Sequence, residues 1–157
     1  RINGDRMTPG ISISNSEVGL SALTISAYTI RLICLNGLIA KTAASASYRH
    51  VSSKLLSNFP GVLNDLREGF GQQKEQFRIS LESKVENPDA TIESFNRQFE
   101  LRKEEKEAVE WALAQEYGFT MFSVVNTYTK AAQYELLSAE SRFRLQKVGG
   151  MVLGMVN

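Results

Sequence analysis

Leu23-Thr-Ile-Ser-Ala-Tyr-Thr-Ile-Arg31-Leu-Ile-Cys34-Leu35 is the stretch on which the fold class turns. Apolar residues alternate with polar ones from Leu23 through Ile25 and Ala27, change phase at Tyr28, and continue as Ile30 and Leu32. Period-two alternation is the pattern of a strand with one buried face. The change of phase predicts a β-bulge, where one extra residue flips the side chains to the other face. Upstream, Ile11-Ser-Ile-Ser14 alternates in the same way, and Asn15, Ser16 and Gly19 bracket a turn. Downstream, Asn36 and Gly37 read as a structural turn, because both central residues of a type I′ hairpin turn need positive φ. Tyr48-Arg49-His50-Val51 reads as a further short strand, and the small, polar residues 40–47 suit a loop or a weak strand. The first third therefore predicts a small antiparallel sheet.

Past residue 58 the chemistry changes to Glu, Gln, Lys, Leu and Phe, which favour helix. Leu63, Leu66, Phe70, Phe77, Leu81 and Val85 recur at three, four or seven residues, an apolar stripe on a long helix with Pro60 in its first turn. Asn87-Pro88-Asp89 ends that helix, since the residue before proline avoids the α region. A short helix follows behind Asp89 or Thr91 as cap, carrying Ile92, Phe95 and Phe99. Arg102 to Tyr117 continues with Val109, Ala112, Leu113 and Glu116 at helical spacing, and Gly118 reads as its stop. Phe122, Val125 and Tyr128 or Thr129 mark another helix. Ser138 caps the last, through Phe143, Leu145, Val148 and Val152. The run Arg102-Lys-Glu-Glu-Lys-Glu107 mixes both signs and reads as a solvated helix face.

The fold expected is α+β, a small antiparallel sheet followed by four or five helices packed on it. Residues 1–157 form one domain, with a sheet-rich basic part (1–58) and a helical part (59–157) sharing one core. The opening Arg-Ile-Asn-Gly carries neither a methionine nor a signal peptide, so the chain reads as a fragment of a longer one. One cysteine excludes an internal disulfide framework, and one histidine excludes His-rich metal sites. No metal or other cofactor is expected. No apolar run approaches the ~20 residues that a membrane helix needs, so no membrane partner is expected.

The net charge is only +1, but its distribution is uneven. Residues 1–58 hold six basic groups against two acids, whereas the remainder holds twelve against fifteen. Arg31, Lys41, Arg49 and Lys54 lie among Tyr28, Tyr48 and many hydroxyl side chains. Cations interleaved with aromatic platforms on a sheet face are one way to hold single-stranded nucleic acid. Candidate nucleic-acid contacts are thus Arg31, Lys41, Tyr48, Arg49, His50 and Lys54, weighed against an incidental excess of charge. Cys34, in an apolar run, reads as a packed and inert thiol. A Cys34–His50 catalytic pair has no recognised local signature around either residue, and no catalytic residue is assigned. Gly150 and Gly154 read as points of close helix packing, and Met151 and Met155 as a soft contact surface.

Several segments, taken together, resemble a known family. They are Asn15-Ser16-Glu-Val-Gly19-Leu-Ser21-Ala22, Tyr28-Thr-Ile-Arg31-Leu-Ile-Cys34-Leu-Asn36-Gly37, Arg49-His50-Val51 and Phe122-Ser-Val-Val-Asn126-Thr-Tyr128-Thr129. In order and spacing they resemble the carboxyl-terminal part of the phage/plasmid-like protein family, domain of unknown function 932. Val51-Ser52 and Phe122 depart from that family's Thr-Gly and Trp. The resemblance implies an accessory protein of a mobile genetic element, in the cytoplasm of a bacterial host cell. The function expected is a non-catalytic accessory protein binding single-stranded DNA or RNA through a basic sheet face. The alternative is a structural, homo-oligomeric protein–protein interaction module with no nucleic-acid role.

Overall fold

The computed structural model describes residues 7–14, 23–31, 36–38, 46–48 and 53–156. Four short strands come first: β1 (Met7–Ser14), β2 (Leu23–Arg31), β3 (Asn36–Leu38) and β4 (Ala46–Tyr48). Five helices follow: α1 (Ser53–Glu82), α2 (Pro88–Gln98), α3 (Lys103–Glu116), α4 (Met121–Ala131) and α5 (Ala139–Gly154).

The α+β class is corrected: the protein is mainly helical. Helices of 30, 11, 14, 11 and 16 residues outweigh strands of 8, 9, 3 and 3. Among the residues whose burial is described, the hydrophobic core runs from Phe77 in α1 to Leu153 in α5. The physical reason lies in α4. Phe122, Val124, Val125, Asn126, Thr127, Tyr128, Thr129 and Ala131 are all buried, so this helix is covered all round rather than along one stripe. A helix buried on every side is itself the centre of a core, which the other helices close around. Its β-branched residues are mediocre helix formers, and tertiary burial overrides that preference.

The strand segments form an antiparallel ladder with β2 between β1 on one side and β3 and β4 on the other. Register between β1 and β2 runs one-to-one from Met7 opposite Arg31 to Ser14 opposite Thr24, with Tyr28 opposite Gly10. The bulge expected at Tyr28 is therefore not formed. Asn36 and Gly37 are likewise not a turn: they sit in β3, paired with Arg31 and Ile30. Their backbones are taken up by the ladder, and the connection spans residues 32–35, outside the described residues. Also outside lie Asn15, Ser16 and Gly19, the thiol Cys34, and Lys41, Arg49, His50 and Val51.

Around α4, helices α3 and α5 pack along its length. Phe77 of α1 meets Phe122 of α4 edge to face, with centroids 6.3 Å apart. From α2, the carbonyl oxygen of Ile92 and Oδ1 of Asn96 stand 3.1 and 2.9 Å from the Tyr128 hydroxyl. That hydroxyl is fully buried, and burial raises its pKa far above the ordinary tyrosine range. Two further expectations are adjusted. Pro60 is inside α1 rather than in its first turn, because the helix already begins at Ser53. Leu63 is 41% exposed and Phe70 half-buried, whereas Phe77 is buried.

Local chemistry explains most helix ends. Asn87 caps α2 by accepting a hydrogen bond from Ala90 N at 3.0 Å, with Pro88 in the first turn, where its missing N–H costs nothing. Asn87-Pro88 thus opens α2 rather than ending α1, which has already stopped at Glu82, and the cap is neither Asp89 nor Thr91. Ser138 caps α5 by accepting from Ser141 N. In the mixed-sign run at the start of α3, Lys103, Glu104, Lys106 and Glu107 face solvent, but Glu105 is fully buried. Its Oε2 accepts from Arg102 N at 2.8 Å and from the Arg144 guanidinium at 3.0 Å. Arg144 also donates to the carbonyls of Phe99 and Glu100, where the chain reverses after α2 with Glu100 at φ 49°.

Candidate interaction site

Of the residues expected to contact nucleic acid, Arg31 and Tyr48 lie at opposite ends of β2. Tyr48 pairs with Leu23, and Arg31 pairs with Met7 and Asn36. At about 3.3 Å per residue, those ends are separated by about 26 Å. Lys54 falls in the first turn of α1. Lys41, Arg49 and His50 lie outside the described residues. Arg31 and Tyr48 are thus set apart along the ladder.

A different cluster stands out on the helical body, in the turn from α3 to α4. Tyr117 and Phe119 are 52% and 59% exposed, with rings perpendicular and centroids 5.7 Å apart. The turn is fastened on several sides. Val85 N donates to the Phe119 carbonyl and Met121 N to the Ser83 carbonyl, both at 2.9 Å, bridging Lys84 to Thr120. The Tyr117 hydroxyl donates to Asp89 Oδ2 at 3.1 Å, and that bond raises the pKa of the hydroxyl. Thr120 caps α4 by accepting from Ser123 N. Between the two aromatics, Gly118 is crowded: a Cβ there would meet Ser123 Oγ, which would have to turn away.

Beside this turn opens a broad cleft of about 520 Å³. It is lined by Lys84 to Asn87, by Ala90, Thr91, Ser94 and Phe95 of α2, and by Met121. Val85 is buried beneath it, whereas Lys84 and Glu86 are exposed. This follows from extended backbone, whose successive side chains point to opposite sides. Among the described residues neither Lys84 nor Glu86 has an ion-pair partner. The rim therefore presents one cation and one anion, two residues apart, next to two fixed aromatics.

Other exposed apolar groups differ. Trp111 lies against Tyr134 with Lys130 Nζ 5.4 Å from its ring centroid, and Phe143 has Lys147 Nζ at 4.9 Å. These rings are already partly covered by their own cations. Leu136, 81% exposed, stands in the α4–α5 connection. Gly154, read as a packing point, has nothing within 4 Å of where a Cβ would lie. Met155, by contrast, is 45% exposed. No group of three or more His, Cys, Asp or Glu able to hold a metal occurs among the described residues, and no described helix is long and apolar enough to cross a membrane.

Comparison with known proteins found no matching family model, curated protein or solved structure. The assignment of the site therefore stands on its geometry. Reading the sequence for motifs passes over Tyr117 and Phe119, because Gly118 is taken only as a helix stop. Two large aromatics flanking a glycine between two helices are the signal in the sequence.

Proposed function

We propose that this chain is a protein–protein interaction module that docks apolar side chains of a partner on the Tyr117–Phe119 turn and in the adjoining cleft. One observation carries this reading: two large aromatics are more than half exposed on a turn that hydrogen bonds fasten on several sides. Exposed aromatic area offers apolar burial to a partner, and aromatic residues dominate interface hot spots. A turn ordered before binding also avoids the entropy cost of being ordered on binding. A displayed library of random peptides, selected against the full chain, tests the proposal. Enriched peptides should bind wild type and lose affinity for Phe119→Ala. Peptides that bind both equally, or no enrichment at all, would remove this reading.

The nucleic-acid reading is supported by the charge of residues 1–58, six basic groups against two acids. It has its own test. Affinity for a single-stranded oligonucleotide should fall steeply between low and high salt, because each phosphate contact releases counterions. Absence of binding at low salt would dismiss it.

A further inference from the structure

We infer that a single buried water molecule bridges Glu105 Oε1 and Ser141 Oγ in the joint between α3 and α5. This site is separate from the docking surface proposed above, and the two readings stand or fall independently. Glu105 and Ser141 hold the same place in their helices, three residues after the caps Arg102 and Ser138. Two charged contacts tie those first turns together. Arg102 donates to Glu140, the neighbour of Ser141, at 2.9 Å, and Arg144, one turn beyond Ser141, donates to Glu105 at 3.0 Å. Along α5, Ser141 thus lies between the two crosslinks. Both side chains are closed to solvent, with residue exposures of 0% for Glu105 and 1% for Ser141.

Each carries one polar atom without a hydrogen-bond partner among the described residues, Glu105 Oε1 and Ser141 Oγ. The wiring of the joint explains why. Both donors that reach the carboxylate, Arg102 N and Arg144 Nη1, fall on Oε2. The guanidinium does not also grip Oε1, because its Nη2 is committed to the carbonyls of Phe99 and Glu100. A serine inside a helix commonly donates to the carbonyl four residues back. Here that carbonyl, of Leu137, accepts from Arg142 Nε. Leaving a buried polar atom unbonded is costly, and ordered water is the common remedy. The chemistry of the two atoms selects the ligand. Oε1 can only accept, so it needs a donor, whereas Ser141 Oγ can donate or accept. Arg144 already balances the carboxylate, so no further cation is called for, and an anion would be repelled by it. Water, needing only ~10–15 Å³, is the smallest neutral donor for a joint closed to solvent.

A crystal structure of the full chain that shows ordered water, together with urea unfolding of Ser141→Ala, is the test. Density should lie within hydrogen-bond reach of both Glu105 Oε1 and Ser141 Oγ. Ser141→Ala should raise the unfolding equilibrium constant by about three- to tenfold, because the water loses one of its partners. In a dry joint the sign differs: removing an unbonded hydroxyl leaves stability equal or higher. Glu105→Gln acts on the same water from the other side. Its effect and that of Ser141→Ala should therefore fail to multiply, by about threefold or more in the double variant. Absence of density at that place would overturn the inference, as would a Ser141 hydroxyl turned onto a backbone carbonyl or directly onto Oε1. So would a Ser141→Ala variant at least as stable as wild type, or two substitutions whose effects simply multiply.

Discussion

Helix α3 begins and ends in opposite chemistry. At its start, Glu105 is fully buried, and its carboxylate is held by the Arg102 backbone and by Arg144 of α5. At its end, Tyr117 and Phe119 stand in solvent on a fastened turn. The first end places a charge inside and the second places apolar rings outside, each against the usual preference. The buried charge has partners within the chain, so its purpose is internal. The exposed rings have no comparable cover, and their orientation is nevertheless fixed. The contrast separates a joint that holds the helices together from a surface that faces outward.

This comparison can be broken at either end. The largest effect is expected from Arg144→Met, which strands a buried carboxylate and leaves the Phe99 and Glu100 carbonyls without their donor. Urea unfolding should show a loss of about 3 kcal/mol. Adding Glu105→Leu should recover about half of that or more, because removing both charges ends the desolvation penalty. No recovery would mean that the joint works through packing rather than charge. At the opposite end, Gly118→Ala should cost about 1–2 kcal/mol by crowding Ser123, and Ser123→Ala should relieve part of it. Glu140→Ala breaks only the exposed Arg102–Glu140 pair, 2.9 Å apart and 48% and 72% exposed. It should change stability by less than about 1 kcal/mol. Smallest of all, Phe119→Ala should leave the unfolding midpoint nearly unchanged, within about 0.5 kcal/mol, while abolishing docking. A large stability loss there would make Phe119 a core residue and end the distinction.

Alkaline titration sharpens the account of α4. Burial holds the Tyr128 hydroxyl protonated in the folded protein well past the ordinary tyrosine pKa. The folded-state pKa is raised, so this contribution is complete below pH of about 10 and declines as pH climbs above it. The slope is about 1.4 kcal/mol per pH unit until the folded group itself ionises. Tyr128→Phe should reduce that slope, with Tyr117 contributing to what remains, and cost about 1–2 kcal/mol near neutrality by leaving Asn96 without its partner. An unaltered alkaline slope in the variant would assign it to other groups.

Much of the helical part was legible residue by residue. Ser138 reads as a cap and is one, and Val109, Ala112, Leu145, Val148 and Val152 read as inward-facing and are buried. What escaped detection has identifiable causes. Glu105 reads as solvated because charge runs usually are, and the cation that balances its burial, Arg144, comes 39 residues later. Asn36-Gly37 has the composition of a turn, but pairing with β2 places both residues inside the ladder. The weight given to alternation around Leu23–Leu35 made a sheet the expected foundation. The decisive fact was instead that α4 is buried on all its faces, which a one-face count of Phe122, Val125 and Tyr128 understates.

Local composition alone determined where most of the helices lie and which stripes they bury, because caps, proline and apolar period act over a few residues. Only the tertiary structure decided that α4 is the centre, that one carboxylate is enclosed, and that an aromatic turn stands beside an open cleft. Each of those depends on groups far apart in the chain meeting in space, and spacing along a sequence does not encode such meetings directly.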